Sequence, residues 1–188
     1  MRITGGQARG IPLKTPKQGE IRPATDYLRQ AVFSSLADIV PGTRVLDLFA
    51  GSGAYGLEAL SRGATSAVFV ERDRACLACL RENLAATAKS LRADASLGRI
   101  DGRDVLRWSP SESFDLVFVD PPYVLWEDQT AALANLLGQV AALSPDAHFV
   151  LEAPGAQEPR PGAGFSLIKR LGKGPTQPAA WIFEASLG

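Results

Sequence analysis

Cysteine, histidine and long apolar runs are scarce in this chain, and each scarcity closes off a class of protein. Two cysteines among 188 residues, Cys76 and Cys79, cannot build a disulfide scaffold. Their CxxC spacing lacks the second pair that a zinc site of about four ligands requires. They stand among Ala75, Leu77, Ala78 and Leu80 and read as small packed side chains of a helix, so no metal is expected. The single histidine, His148, lies between apolar neighbours and reads as structural. No apolar stretch approaches the ~18 residues needed to cross a bilayer. The first ten residues have no signal-peptide core. A cytoplasmic protein with no membrane partner is therefore expected. The formal net charge is zero, which argues against a strongly basic nucleic-acid binder.

What is present is enough apolar sequence, 46% of residues, for one well-buried domain. Charge is unevenly spread. The first thirty residues carry six basic groups against two acidic ones, and the rest of the chain balances that local excess of four. Arg2, Arg9, Lys14 and Arg22 could lie along phosphates, whose contacts position a protein without reading sequence. A solvated, partly mobile start is the competing reading. Residues 5–23 are rich in Gly, Pro, Lys and Thr, with Ile11 and Leu13 alternating as in a small hairpin. The expected organisation is a basic arm over residues 1–24, outside the core, and one domain over 25–188.

Thr25 offers a helix N-cap before an apolar stripe at Leu28, Ala31, Val32, Leu36 and Ile39, stopped by Pro41 and Gly42. Strand and helix then alternate. Strands are expected at 44–49, 67–70, near 97–100, at 114–119 and at 147–151, with helices through Glu58 and Leu60, over 73–88 and over 130–143. Strands this apolar on both faces belong to a parallel sheet covered on both sides. Residues 165–171 and 179–184 flank a Gly/Pro turn and read as a closing antiparallel hairpin.

The run Val45-Leu46-Asp47-Leu48-Phe49-Ala50-Gly51-Ser52-Gly53 carries a strand into a small-residue turn and a helix start. There bare backbone can approach a ligand. Residues 51–56 match GxGxxG, and Glu71 falls twenty residues beyond Gly51, where a carboxylate can hold ribose hydroxyls. The pattern suits a dinucleotide or S-adenosylmethionine. Asp47 tips the balance, because a buried carboxylate repels a pyrophosphate but welcomes an ammonium. It could equally be structural, accepting loop amides.

Asp120-Pro121-Pro122-Tyr123 follows directly on the fourth expected strand. Two prolines fix the backbone and remove two donors, so carbonyls are left as acceptors. Asp120 adds a carboxylate and Tyr123 an aromatic plane, a set that suits a flat base bearing an NH2 group.

The glycine loop together with Asp-Pro-Pro-Tyr resembles class I methyltransferases acting on exocyclic base amines. More closely, the chain resembles the bacterial 16S rRNA guanine-N2 methyltransferase family, the RsmD-like enzymes. The matching pieces are Met1-Arg2-Ile3-Thr4-Gly5-Gly6 with Arg9-Gly10, Arg22-Pro23-Ala24-Thr25-Asp26, Val45 to Gly53, Leu57 to Ala64, Phe69-Val70-Glu71 and Asp120 to Tyr123. Ala24, Tyr27, Gln30 and Tyr55 depart from the family's habit. The resemblance implies a Rossmann-like class I fold: a seven-stranded, mostly parallel sheet with an antiparallel carboxyl-terminal hairpin and helices on both faces. It implies S-adenosyl-L-methionine as cofactor. Asp47, Gly51 and Gly53 would line its methionine end, Glu71 would hold its ribose and Asp104 its adenine amine, with Phe49, Ala50, Ser52, Arg72 and Val105 completing the cofactor site. Asp104 could instead simply cap a short helix toward Trp108. Asp120, Pro121, Pro122 and Tyr123 would hold the target amine. The implied partner is 16S rRNA or a partly assembled small subunit, the resemblance pointing to the particle; nothing in the sequence demands more than a monomer. Two other readings compete: a DNA adenine-N6 or cytosine-N4 methyltransferase, for which no target-recognition insertion is present, and a non-enzymatic nucleotide-binding module or nicotinamide-dependent oxidoreductase, which leaves Asp120 to Tyr123 unused. Trp126 could stack with nucleic acid or with the core.

Overall fold

A computed structural model describes residues 1–16 and 25–186 of the chain. The helix α1 (Thr25–Ser35) precedes β1 (Arg44–Leu48), α2 (Ala54–Ser61), β2 (Ser66–Val70) and α3 (Arg74–Leu91). There follow β3 (Gly98–Asp101), β4 (Leu116–Val119), α4 (Val124–Asp128), α5 (Thr130–Leu143), β5 (His148–Pro154), β6 (Phe165–Leu171) and β7 (Pro178–Ala185). The seven strands form one sheet in the order β3-β2-β1-β4-β5-β7-β6. The first five are parallel to one another; β7 runs antiparallel between β5 and β6. This is the seven-stranded, mostly parallel sheet expected above. The terminal hairpin closes the sheet as expected, and its second strand is the one that joins the body.

Strand periodicity sorts the core into two layers. Val45, Phe69, Leu116 and Phe118 face one apolar cluster with Leu28, Val32 and Phe33 of α1, Leu57 of α2 and Leu80 of α3. Their neighbours Leu46, Leu48, Val117 and Val119 face the other, with Trp126 of α4 and Leu133, Leu137 and Val140 of α5. Helices therefore cover both faces, and β1, β2 and β4 are buried on both, as their uninterrupted apolar sequence requires. The strand order reverses between β1 and β4, so the crevice at their carboxyl ends is where a parallel sheet of this kind receives a ligand.

The opening residues do not stand away from the body. Ile3, Ala8 and Leu13 are buried in the same cluster as Leu57 and Leu60 of α2. Arg2 and Pro12 make an antiparallel bridge, so a small hairpin is present, laid against the domain. Glycine and proline content marks a segment without regular structure; it does not say whether that segment is packed. The side chain of Thr25, expected as a cap, and Arg22 lie outside the described residues. The short helix α4 was not foreseen, since a five-residue helix carries too little periodicity to read.

Candidate cofactor and substrate site

The carboxyl end of β1 turns sharply. Phe49 adopts a left-handed conformation, φ 60°, unusual for an aromatic residue and costing about 1–2 kcal/mol. The turn is held from outside: the Ala50 amide donates to the Val70 carbonyl at 3.1 Å, and the Gly53 amide to the Ala50 carbonyl at 2.7 Å. Gly51 has φ 54°, and a Cβ built there would meet nothing within 4 Å. The loop thus offers bare backbone to an open space, the cradle a ligand needs.

Gly56 answers a different need. A Cβ there would lie 2.4 Å from Cε1 of Phe69 and 3.1 Å from Oδ2 of Asp47, so this glycine lets α2 press against the sheet. Of the three glycines in the motif, the first serves the open cradle and the last serves packing.

Asp47 lies under this loop, 2% exposed, and its Oδ2 accepts the Gly56 amide at 2.9 Å. Burial pushes its carboxyl up to about 8, opposed by that hydrogen bond and assisted by the charge of Glu71. The structural role left open for Asp47 is therefore present, and a cationic ammonium would relieve the same burial cost. Glu71, at the end of β2, accepts the Gly51 amide at 2.8 Å with one oxygen and the Asp73 amide at 2.7 Å with the other. It fastens the glycine loop to the start of α3. Asp104 divides its two oxygens likewise: Oδ1 accepts the Leu106 amide at 3.0 Å, capping a 3-10 turn over 105–107, and Oδ2 meets Nη1 of Arg72 at 2.6 Å. Arg72 and Asp104 thus close one flank of the crevice, with Val105 buried behind them. The capping reading of Asp104 holds as geometry, alongside an ion pair that sequence did not show.

Register places the Asp-Pro-Pro-Tyr turn beside the glycine loop. Leu48 of β1 is level with Val119 of β4, and the Asp120 amide reaches the Leu48 carbonyl at 3.5 Å. Pro121 is buried and Pro122 exposed. The Pro122 carbonyl accepts the Leu125 amide at 2.9 Å, so that oxygen is committed to the start of α4, and of the two proline carbonyls Pro121's is left as the candidate acceptor. The expectation that both proline carbonyls are left as acceptors needs that correction. Tyr123 is half-buried and packs partly against the cluster of Leu48, Val119 and Trp126.

Glu152 was missed in the sequence, and Tyr55 was noted there only as a departure from the family's habit; the two form a buried pair. Glu152, 3% exposed near the end of β5, accepts the Tyr55 hydroxyl at 2.8 Å. Tyr55 stacks on Phe118, centroids 4.9 Å apart, and its hydroxyl is held protonated by burial first, then by the charges of Glu152 and Asp120. The signal was available: Glu152 is a carboxylate near the carboxyl end of an apolar strand, as Asp47 and Glu71 are. Trp126 is buried, with its indole N–H donating to the Glu152 carbonyl at 2.8 Å, so it belongs to the core. His148 pairs with Glu184 at the other end of the sheet, far in sequence register from the site. Cys76 and Cys79 are free and half-buried, and burial pushes the Cys76 thiol up to about 12, away from reactivity.

Of the basic residues proposed for phosphates, Arg2 and Arg9 are exposed, while Lys14 is paired with Glu82. No helix among the described residues is long and apolar enough to cross a membrane.

Residues 1–181 match the family described as "Conserved hypothetical protein 95". Escherichia coli Ribosomal RNA small subunit methyltransferase D is 42% identical over 125 residues, 65% of this chain and 60% of that protein. Bacillus subtilis YlbH, provisionally described as an rRNA methyltransferase, is 34% identical over 81% of this chain and 82% of its own. Among solved structures, Escherichia coli yhhF, provisionally described as a methyltransferase, superposes with a TM-score of 0.81 at 32% identity, covering 100% and 99% of the two chains. The fold is the Rossmann-like class I methyltransferase fold.

Proposed function

The chain belongs to the conserved hypothetical protein 95 family, the RsmD family, and from that premise we propose that it is a cytoplasmic, S-adenosylmethionine-dependent rRNA methyltransferase. Its target is the exocyclic N2 amine of a guanine in 16S rRNA, met in a partly assembled small subunit. The observation that carries the reading is the placement of the Asp120 to Tyr123 turn level with the glycine loop, at the point where the strand order reverses. Both halves of the reaction, methyl donor and amine, then share one crevice.

The residues fit the cofactor. Gly51 leaves open the space a Cβ would enter, Asp47 supplies a buried carboxylate for an ammonium, and Glu71 stands at the end of β2 for ribose hydroxyls. Asp104 would take the adenine amine, with Phe49, Ala50, Ser52, Gly53, Arg72 and Val105 forming the remaining walls. When bound, the cofactor supplies an electrophilic methyl group on sulfur.

Guanine N2 is a poor nucleophile, because its lone pair is delocalised into the ring. Asp120 and the Pro121 carbonyl accept its two N–H bonds and so favour a pyramidal nitrogen whose lone pair points at the methyl. Positive charge growing on nitrogen meets acceptors already in place, and their fixed positions cost no reorganisation; the proton that the methylated nitrogen sheds passes by way of the Asp120 carboxylate to solvent. The rigid imino acids serve that fixity. Tyr123 supports the base by its ring, and Tyr55 with Glu152 braces the loop from below.

Tritium transfer from labelled S-adenosylmethionine to immature small subunits, naked rRNA and duplex DNA tests this directly. Label in guanine N2 of the particle is expected; label in DNA adenine or cytosine would replace the reading with a DNA methyltransferase. Asp120→Ala is expected to abolish turnover while cofactor affinity changes little, and near-normal activity would refute the assignment.

A further inference from the structure

We propose that Asn83 is a positioning residue that couples the glycine loop to the first sixteen residues, so that cofactor and RNA bind cooperatively. The inference rests on the reading above, in which the loop is the cofactor shelf and the opening hairpin faces RNA.

Asn83 stands on α3, 1% exposed. Its Nδ2 donates to the Ser52 carbonyl at 2.9 Å and to the Lys14 carbonyl at 2.9 Å, and its Oδ1 accepts the Lys14 amide at 2.8 Å. A carboxamide has two N–H donors and one oxygen acceptor, and all are engaged. One side chain therefore joins backbone groups thirty-eight positions apart in the chain, one in the loop and one in the opening hairpin. Buried carbonyls and amides left without such a partner are costly, which makes this geometry well determined.

The hairpin is gripped a second time by α2, the helix that issues from the same loop. Glu58, fully buried, accepts the Thr4 amide at 2.7 Å and its hydroxyl at 2.8 Å. Ser61 accepts the Ala8 amide at 2.9 Å and donates to the Gly5 carbonyl at 2.6 Å. A Cβ on Gly6 would stand 1.9 Å from the Ser61 carbonyl oxygen, so backbone abuts backbone here. Displacing residues 1–16 must displace either α2 or Ser52. By reciprocity of linkage, whatever fixes the loop restrains the hairpin, and whatever holds the hairpin restrains the loop. The α2 bonds hold the hairpin to the helix, and the Ser52 hydroxyl reaches Met1 Sδ only at 3.9 Å; among the described residues Asn83 is the side chain bonded to the loop carbonyl itself.

The test uses the full chain, S-adenosylhomocysteine as ligand, calorimetry for affinity and amide exchange for restraint. In the wild type, ligand is expected to slow exchange in residues 1–14 as well as 51–54. Asn83→Ala should weaken ligand binding by roughly tenfold and confine the slowing to 51–54. Lys14→Pro removes the N–H that Asn83 accepts while leaving Asn83 in place, and should act in the same direction even where the first variant folds poorly. Ligand slowing exchange in residues 1–14 undiminished in either folded variant would overturn the proposal. A wild type that fails to bind S-adenosylhomocysteine sinks the cofactor reading instead. The clip is then judged on ligand-free protein, where Asn83→Ala must speed exchange in 1–14 and 51–54 together; an unchanged loop overturns it.

Discussion

Asp47 is the residue whose burial most directly sets a pH dependence. Its carboxyl is near 8 in the folded chain against 3.8 as an ordinary side chain, so from about pH 4 to pH 8 the folded state holds a proton that the unfolded state has lost. Stability contributed by this group is present in full below pH 4 and falls as pH rises through 8, by at most about 1.4 kcal/mol per unit. Asp47→Asn retains an oxygen for the Gly56 amide and removes the titration. The thermal midpoint of the ligand-free variant should decline less between pH 5 and 8 than that of the wild type, measured by calorimetry; parallel curves would show that Asp47 ionises normally. Tyr55 gives a second test at this scale. Tyr55→Phe keeps the stack on Phe118 and strips the hydroxyl from Glu152, at a cost of about 1–2 kcal/mol. The midpoint should drop by roughly 3–6 °C, and Tyr55→Phe with Glu152→Leu should recover part of it, because the buried carboxylate goes too.

Among the elements, α2 separates two uses of glycine. Gly51→Ala places a methyl in open space, with a left-handed φ that costs about 1 kcal/mol, so its expected effect is loss of S-adenosylhomocysteine binding with a small stability change. Gly56→Ala drives a methyl into the Phe69 ring and should destabilise by about 1–3 kcal/mol. Equal stability losses in chemical denaturation would contradict the division. The elements themselves were largely legible, because β1, β2, β4 and β5 are short apolar runs bounded by polar turns, and α5 was read with its observed bounds of Thr130–Leu143. The glycine loop and the Asp-Pro-Pro-Tyr turn were legible for a related reason: backbone constraint is written in residue type. What escaped is contact between distant segments. Nothing local in residues 1–16 announces that Ile3 and Leu13 are buried, that Glu58 will take Thr4, or that Asn83 will clasp Lys14. Pairing partners of β7 escaped likewise, since a hairpin pattern does not say which of its strands meets the sheet.

At the scale of the whole molecule, the even charge balance hides an uneven surface, and the sequence count overstates what the opening segment offers to RNA. Arg29 contributes to that count, yet it is 1% exposed, its Nη2 bonded to the Arg2 carbonyl at 2.6 Å and to Asp26 at 2.9 Å. It is neutralised inside the fold by Asp26 and Glu58, and its work is to hold the hairpin down. Lys14 is already paired with Glu82. Among the described residues proposed for phosphates, Arg2 and Arg9 are left to act as exposed cations. Each phosphate neutralised on single-stranded nucleic acid contributes about −0.7 to the slope of log affinity against log salt. Naked rRNA should therefore bind weakly, with a slope of about −1.4 from these two cations, where a dedicated polycationic surface would give a far steeper one. Replacing Arg2 and Arg9 together by Ala should flatten that slope by about 1.4 while leaving S-adenosylhomocysteine affinity as it was. Filter binding across a salt series checks both. A slope steeper than about −5, or one indifferent to the double substitution, would place the phosphate contacts on another face of the protein.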